Sequence, residues 1–260
     1  MGNPTYEAKD MALAKMQYST FPADLIIHVV ANEQDDYFKV IFKALEQLEP
    51  EIAKKERHLS YGMVNLSTGK MASRTGHVVT LEFIYDETRQ KVIEVMKQSP
   101  TSREIKEEER QQIIDIVSIG AIKFAMLKYS PQTAITFDLE KSVSLNGDSG
   151  PYVQYTYARA KSVLRSAQYD YQPAEIKGPL EAEERELLRK IEHFDFCIEE
   201  AAANYAPNTV ANYLLDFSKA FNLFYQKHPI IKAGQKQELR LALTCAVAVV
   251  LKQGLYLLGI

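Results

Sequence analysis

The sequence predicts an α/β first part followed by an all-α second part, and two observations carry this prediction. Residues 24–30 form a short run of apolar and β-branched side chains, which is typical of a buried strand in a parallel sheet. An amphipathic segment follows this run, as a crossover helix would. From Tyr152 to the end the pattern is almost entirely helical, and Pro207 and Pro229 separate its segments.

Composition and charge exclude several classes of protein. The 260 residues are 46% hydrophobic and 25% charged, which is ordinary for a globular protein and excludes disordered, collagen-like and mucin-like chains. At roughly 150 residues per domain, the length predicts about two domains. The formal net charge of -3 excludes a globally basic nucleic-acid coat, although a local basic patch stays open.

Cysteine usage and the apolar stretches predict a cytoplasmic protein without a membrane segment. Cys197 and Cys245 have no CxxC spacing or histidine-rich surroundings, so we expect reduced thiols with a packing role. The polar N-terminus does not resemble a signal peptide. The most apolar stretch, 241–251, is only about 11 residues long, which is too short to cross a bilayer.

The first part is expected to alternate helices and strands. It begins with a helix in which Asn3 is the cap and Pro4 the first residue. The elements expected after it are strand 24–30, helix 35–48, strand 58–66 and strand 78–81. Pro50 ends the helix, and a loop rich in Gly, Ser, Thr and Lys separates the last two strands.

Helices dominate the rest of the prediction, with a turn-rich break at 142–150 that we take as a domain boundary. The expected helices are 82–97, 102–128, 152–168, 179–203, 208–227 and 234–258. The chain is therefore divided into residues 1–85, 86–149 and 150–260.

Charge is spread unevenly over the second part. Residues 181–200 contain eight acidic and three basic side chains, whereas residues 219–252 contain six basic and one acidic. Both segments are compatible with solvated helix faces. The alternative for the basic segment is a surface that binds a polyanion, with Lys232 and Lys236 among its contacts.

Tyr6, Asp10 and Gln34 form the first candidate site. Tyr6 and Asp10 are spaced i, i+4 and share a helix face, and Gln34 follows the strand that ends at Val30. Open α/β sheets bind ligands at the carboxyl ends of their strands. A phenol, a carboxylate and an amide that converge there would suit a guanidinium group, although Asp10 is equally compatible with a surface helix.

A glycine-bounded loop, 69–76, is the second candidate site. Its sequence, Gly-Lys-Met-Ala-Ser-Arg-Thr-Gly, combines backbone freedom with hydroxyls and two cations, which suits a phosphate chain. The loop lacks the Walker spacing and is not a P-loop. A flexible surface loop is the alternative.

Tyr152, Tyr155 and Arg159 form the third candidate site, on one face of an expected helix. Aromatic rings beside a cation are what single-stranded RNA bases stack on. The alternative is that the tyrosines pack a helical bundle.

Together these segments resemble an arginyl-tRNA synthetase, a class I aminoacyl-tRNA synthetase, over essentially the whole chain. Residues 6–13 are similar to the family's Tyr-x-x-x-Asp-x-Ala, and 29–34 to its Val-Val-Gly-x-Glu-Gln. Residues 58–64 precede a loop, 69–76, that resembles the class I "KMSKS" loop. Residues 150–159, Gly-Pro-Tyr-Val-Gln-Tyr-Thr-Tyr-Ala-Arg, resemble the start of the family's anticodon-binding domain.

The resemblance implies roles for individual residues. The residues implied to hold the substrate arginine are Tyr6, Asp10 and Gln34. The residues implied to bind ATP are His58, Gly62, Met63, Val64, Lys70 and Met71. The catalytic loop residues would be Lys70, Ser73 and Arg74. The residues implied to contact tRNA are Tyr152, Tyr155, Arg159, Tyr213 and Phe217.

The implied fold is the C-terminal half of a class I Rossmann-type catalytic domain followed by an α-helical anticodon-binding bundle. Residues 1–85 would hold the catalytic part with the KMSKS-like loop, 86–149 a helical connector and 150–260 the anticodon-binding domain. The implied reaction is ATP-dependent activation of L-arginine and its transfer to an arginine-accepting tRNA, with ATP as a substrate and Mg²⁺ beside it.

One family motif is absent from the sequence. Class I enzymes carry a "HIGH" motif near the start of the Rossmann fold, and no His-x-Gly-His occurs here. We therefore expect an N-terminal catalytic half to be missing. The alternative function is a non-catalytic tRNA-binding module derived from a synthetase. A third interpretation is an incomplete chain whose split sheet leaves an exposed edge.

Overall fold

The structure of the chain is a computed structural model. It describes residues 2–66, 80–97, 106–176 and 178–260. The chain divides into two compact units. The first unit is Met1–Val64 with Pro131–Ile135, and the second is Asn65–Ser130 with Thr136–Ile260.

The first unit is built on a small parallel sheet. Its elements in chain order are α1 (Tyr6–Thr20), β1 (Ile26–Ala31), a 3-10 turn (Asn32–Gln34), α2 (Asp35–Leu48), α3 (Pro50–Ala53) and β2 (Glu56–Tyr61). The two strands pair in parallel, in a register that joins Ile26 to Glu56 and Ala31 to Tyr61. The expected strand and the expected helix 35–48 are thus both present.

Helix α2 covers one face of this sheet. Phe38, Ile41 and Leu45 of this helix are buried, which confirms that the segment is amphipathic. Phe38 lies against His28 of β1 and stacks on His58 of β2, with ring centroids 5.4 Å and 4.3 Å away.

The opposite face of the sheet is open. Its side chains include Ile27, Val29 and Tyr61, which are 38%, 61% and 44% exposed. Side chains alternate between the two faces of a strand, so these apolar residues belong to one surface. Parallel sheets are ordinarily covered on both faces, and the described residues cover only one of them here.

Two expectations for the first unit are wrong. Helix α1 begins at Tyr6 with Thr5 at the cap position, so Asn3 and Pro4 lie before it. Residues 58–66 are not one strand, because β2 ends at Tyr61 and β3 (Val64–Leu66) follows.

The reason for the strand break is a close backbone approach at Gly62. A Cβ atom there would lie 2.3 Å from the Thr133 carbonyl, and the Gly62 N–H donates to the Pro131 carbonyl oxygen at 2.7 Å. The chain turns at Gly62 to run beside residues 131–135. Strand β3 then forms a second two-stranded sheet with β4 (Ile135–Phe137).

The second unit is helical. Its helices are α4 (Leu81–Lys97), α5 (Glu107–Leu127), α6 (Leu139–Ser142), α7 (Gly150–Ser166), α8 (Ala182–Asn204), α9 (Pro207–Lys227) and α10 (Gln237–Leu257), with a 3-10 turn at Gly234–Lys236. These match the six expected helices in number and order, apart from the four-residue α6. Leu81 begins a helix, so it does not end a strand, and the remaining part of the strand expected at 78–81 falls largely outside the described residues.

The core of the second unit lies among its long helices. Phe124 of α5 packs in one cluster with side chains of α7 to α10, including Phe217, Phe221 and Phe224, all fully buried. Helix α7 begins at Gly150, where a Cβ atom would lie 2.6 Å from the Gly120 carbonyl oxygen of α5. The two helices therefore meet through their main chains at this point.

Helix α10 is the most apolar element. Residues Gly234–Leu257 are long and apolar enough to cross a membrane by length and composition, with a mean hydropathy of 1.4 in the most apolar window. This is longer than the stretch expected from the sequence. However, 61% of that window is buried, and the helix packs against α7, α8 and α9, as a core helix does.

Candidate functional site

The Asp10 carboxylate lies at the junction of α1 and α2. Its Oδ2 accepts a hydrogen bond of 2.6 Å from the hydroxyl of Tyr37, which is in the first turn of α2. This hydrogen bond, together with burial, raises the pKa of Tyr37 to about 12. The phenol is therefore a fixed donor to Asp10 at neutral pH.

The other two residues expected to bind arginine are exposed. Tyr6, one turn before Asp10, is 78% exposed, and the ammonium of Lys9 lies 5.4 Å from its ring centroid. Gln34 is the last residue of the 3-10 turn that follows β1, three positions before Tyr37. The hydrogen bond between Asp10 and Tyr37 thus brings the helix that carries Tyr6 to the segment that carries Gln34.

The backbone expected beside adenine is partly committed to the protein itself. The Gly62 N–H bonds the Pro131 carbonyl oxygen, and the Met63 carbonyl oxygen accepts from the Ile135 N–H at 2.8 Å. An adenine contact at residues 62–64 would have to use other groups. Lys70, Met71, Ser73 and Arg74 lie outside the described residues.

His58 is not placed as a nucleotide ligand would be. Its side chain is 11% exposed and stacks on Phe38, beneath α2. Its Nε2 is buried without a hydrogen-bond partner, and its Nδ1 is 3.6 Å from Asp35, too far for a hydrogen bond. The expectation that the His58 ring binds ATP is therefore corrected to a packing role.

Two tyrosine rings and a cation lie close together on the surface of α7 and α9. The Arg159 guanidinium is 4.8 Å from the ring centroid of Tyr155 and 5.1 Å from that of Tyr225. The two rings are 46% and 41% exposed. We call Tyr155, Arg159 and Tyr225 the stacking platform.

Asn222 holds the stacking platform to the core. Its Oδ1 accepts a hydrogen bond from Arg159, and its Nδ2 donates to the Tyr152 hydroxyl and the Thr156 hydroxyl, both at 2.9 Å. All three hydrogen bonds of this amide side chain therefore go to residues of α7. Tyr152, Tyr155 and Arg159, which the sequence places on one helix face, are therefore adjacent in space as expected.

The other two residues expected to contact tRNA are in the core. Phe217 is fully buried, and Tyr213 stacks on it with ring centroids 5.7 Å apart. The Tyr213 hydroxyl donates to the Lys190 carbonyl oxygen, and burial raises the pKa of this phenol. Phe217 is not available to a base, so its assignment is wrong. Tyr213 is only partly buried, and its assignment stays a prediction.

Sequence reasoning missed Asn222 and Tyr225. The sequence feature that could have identified Tyr225 is its position on α9. It directly follows Phe224, the last of the phenylalanines that face the core. An aromatic residue one position beyond an apolar stripe lies at its edge and is partly exposed.

The basic segment 219–252 is largely neutralised within the protein. Four of its six cations form ion pairs: Lys219 with Asp148, Lys227 with Glu183, Lys236 with Glu181 and Glu184, and Arg240 with Glu184. These ion pairs offset much of the positive charge of the segment, and the hypothesis that it is a phosphate-binding stripe stays a prediction. The acidic and basic segments pair mainly with each other.

The acidic partners lie at the start of α8. Glu183 accepts hydrogen bonds from Lys227 at 2.6 Å and from His228 at 2.9 Å, and these donors, with a backbone N–H, hold its pKa at about 2. Glu184 is fully buried and accepts from Arg240 at 2.8 Å. The hydrogen bonds lower its pKa against the opposing effect of burial.

Comparison with protein families assigns both parts of the chain. Residues 1–139 match the family described as "tRNA synthetases class I (R), catalytic domain". The chain belongs to the class I arginyl-tRNA synthetase family. Residues 153–260 match the family described as "DALR anticodon binding domain".

Individual relatives agree with this assignment. The chain is 36% identical to an arginine–tRNA ligase of Porphyromonas gingivalis, covering 100% of the chain and 44% of the relative. It is also 36% identical to that of Flavobacterium psychrophilum, covering 43% of it. The chain thus spans less than half the length of these curated relatives.

Solved structures show the same fold. The arginyl-tRNA synthetase of Thermus thermophilus is similar with a TM-score of 0.85 and 27% identity, over 100% of this chain and 49% of that one. The enzyme of Plasmodium falciparum gives a TM-score of 0.78 at 20% identity, over 44% of its length, which is a likeness of fold. The expected class I catalytic fold and helical anticodon-binding fold are confirmed.

Proposed function

We propose that this chain supplies arginine recognition and anticodon-loop recognition to an arginine–tRNA ligase reaction. In that reaction L-arginine and ATP give arginyl-adenylate and pyrophosphate, and the arginyl group then passes to its tRNA. The observation that carries the proposal is the stacking platform, which is exposed on the unit that matches an anticodon-binding family.

The stacking platform suits unpaired RNA bases. Tyr155 and Tyr225 keep over 40% of their surface exposed, and the Arg159 guanidinium lies 4.8 Å and 5.1 Å from their ring centroids. Base–aromatic stacking is the general way in which proteins hold single-stranded RNA. Because Asn222 also binds the guanidinium, Arg159 would hold the two rings apart and leave their outer surfaces to the bases.

Asp10 suits the guanidinium group of arginine. A carboxylate accepts two parallel N–H donors from a guanidinium, and Tyr37 occupies only one acceptor position of Oδ2. The exposed Tyr6 and Gln34 would complete the arginine site. Activation needs no protein nucleophile, since positioning and electrostatic stabilisation of the phosphates account for such a reaction.

ATP is proposed as a substrate and Mg²⁺ as its companion, on the ground of family membership. Among the described residues, no group of three or more His, Cys, Asp and Glu side chains lies together as a metal site. These residues do not fit a protein-held Mg²⁺, and we assign no step to the ion. Magnesium is commonly bound through one or two carboxylates and the phosphates of its nucleotide.

The open face of the sheet supports a further partner. Ile27, Val29 and Tyr61 form an apolar surface in the unit that matches a catalytic domain, and the chain spans less than half of its relatives. We propose that catalytic-domain sequence beyond these 260 residues covers this face. The cytoplasm, where protein synthesis takes place, is the proposed location.

The same observation favours a second candidate function. Without a cover on the sheet and without a "HIGH" motif, the chain would bind tRNA through residues 140–260 and catalyse nothing. Both candidate functions use the stacking platform to bind tRNA, but only the first includes the arginylation reaction.

Arginylation by the purified chain separates the two functions. The assay combines labelled arginine, ATP, magnesium and an arginine-accepting tRNA, and tRNA binding is measured on the same preparation. Charging above background supports the ligase function. Binding without charging supports the tRNA-binding module, and the absence of both contradicts the proposal.

A further inference from the structure

We propose that Tyr37 is a positioning residue for arginine selection: its hydroxyl holds the Asp10 carboxylate in the orientation that a guanidinium group requires. This inference rests on the arginine site proposed above. It adds a residue that neither the sequence motifs nor the comparisons assign.

The contact between Tyr37 and Asp10 is short and rigid. At 2.6 Å it has the length of a charge-assisted O–H···O⁻ hydrogen bond. Tyr37 is partly buried, and its ring meets the ring of Phe38 edge-on, with centroids 5.6 Å apart. Phe38 is buried against the sheet, so the ring that carries the donor packs beside a core residue of the unit.

Helix α1 needs such an anchor. Ala14 is its only buried residue, while Met16 is 58% exposed. Among the described residues, two side-chain hydrogen bonds join the helix to α2 and the residue after it: Tyr37 with Asp10, and Lys15 with Glu49 at 2.8 Å. Only the first of these contacts touches a residue of the proposed site.

The hydrogen bond from Tyr37 leaves acceptor positions on the Asp10 carboxylate for the substrate. A carboxylate has two oxygens and about four lone-pair positions. Tyr37 fills one position on Oδ2, so Oδ1 and the other position of Oδ2 stay open to two N–H groups of a guanidinium. A neutral urea group, as in citrulline, presents no cation to the same carboxylate and gains less from its orientation.

The test compares Tyr37→Phe with Glu49→Gln in the full chain. Phe keeps the ring and its contact with Phe38 but removes the donor, whereas Gln breaks the other link of α1 and leaves Asp10 untouched. Affinity for L-arginine and L-citrulline is measured by calorimetry, and circular dichroism checks the fold. We expect Tyr37→Phe to weaken arginine binding about 10-fold with citrulline unchanged, and Glu49→Gln to stay within about 2-fold of wild type.

The contrary outcomes are distinct. Unchanged arginine affinity in Tyr37→Phe overturns the positioning role. An equal loss in Glu49→Gln also overturns it, because Tyr37 would then only secure the helix. If the wild-type chain does not prefer arginine to citrulline, the proposed arginine site itself falls, whatever its affinity for tRNA.

Discussion

Arg159 shows how the chemistry of a side chain depends on its neighbours. The sequence suggests a cation that meets RNA directly, and in the structure the guanidinium lies near the rings of Tyr155 and Tyr225 and donates to the Asn222 amide. Electrostatic attraction to the ring faces helps to hold the cation there. The proposed tRNA contact therefore involves the two exposed rings together with the partly exposed cation.

Replacement of either ring of the stacking platform should weaken tRNA binding. Each stacked base contributes about 1–3 kcal/mol, so Tyr155→Ala and Tyr225→Ala should each reduce affinity roughly 5- to 150-fold in filter binding. The matched control is Tyr171→Ala, because Tyr171 is 68% exposed and lies between α7 and α8. An equal loss of tRNA affinity in Tyr171→Ala would mean that the stacking platform is not part of the tRNA interface.

Residue-scale errors had a clear physical origin. Tyr213, Phe217 and Tyr225 all lie on α9, and sequence alone did not tell which aromatic rings face the core. Helical spacing identifies a stripe but not the position of its edge, which depends on how α7 and α8 pack on it. By contrast, Tyr152, Tyr155 and Arg159 could be grouped correctly because they lie on one helix face.

At the scale of elements, the start of α8 is joined to the end of α9 and the start of α10 by ion pairs. Glu183 binds the end of α9, and Glu184 binds Arg240 of α10. The acidic and basic segments of the sequence are thus uneven in charge because they form ion pairs with each other inside the unit. Charge clusters far apart in sequence could not be paired before the helix packing was known.

Arg240→Met should destabilise the helical unit. It removes a partner from Glu184, which is fully buried, and such a loss costs about 3–5 kcal/mol. The double variant Glu184→Gln/Arg240→Met should recover much of that loss, since no charge is left buried. Denaturant unfolding measures both, with Lys43→Met, at an exposed ion pair, as the control.

Low pH should weaken the contact that Glu183 makes between the start of α8 and the end of α9. The folded pKa of Glu183 is about 2, below its ordinary value of 4.5, so its stabilising effect is complete above 4.5 and is lost as pH falls toward 2. The melting temperatures of wild type and Glu183→Gln should therefore differ at pH 7 and converge as pH approaches 2. A constant difference would mean that the charge of Glu183 does not stabilise the fold.

The order of long elements followed from sequence periodicity, whereas short breaks did not. Helices α7, α9 and α10 begin and end within about three residues of expectation, which is the usual precision of such boundaries. The break at Gly62 is caused by residues 131–135, about 70 positions later in the chain. The sequence near Gly62 therefore contains no pattern from which the strand break could be predicted.

At the scale of the whole molecule, the two units differ in how fully their apolar surfaces are covered. The helical unit has one continuous core, in which buried side chains of α7 to α10 pack with Phe124 of α5. The first unit has a two-stranded parallel sheet with one open face. Sheets of this size are rarely stable by themselves, which is why we expect a cover.

Val29→Asp should prevent that cover from binding. Val29 on the open face and Val40 on α2 are 61% and 64% exposed, so Val40→Asp is a control of equal chemistry and exposure. The chain is mixed with the part of the Porphyromonas gingivalis ligase that it does not match, and the complex is followed by size-exclusion chromatography. We expect a complex with wild type and Val40→Asp but not with Val29→Asp; equal behaviour of the two variants would contradict the proposal.

The main-chain contact between α5 and α7 restricts substitution at Gly150. At Gly150 only a hydrogen atom fits beneath the carbonyl of Gly120, so no other residue can enter without moving the first turn of α7. That turn carries Tyr152 and leads to the stacking platform. A larger residue at Gly150 should therefore be accepted only together with a compensating shift of α5, and it would otherwise displace Tyr152.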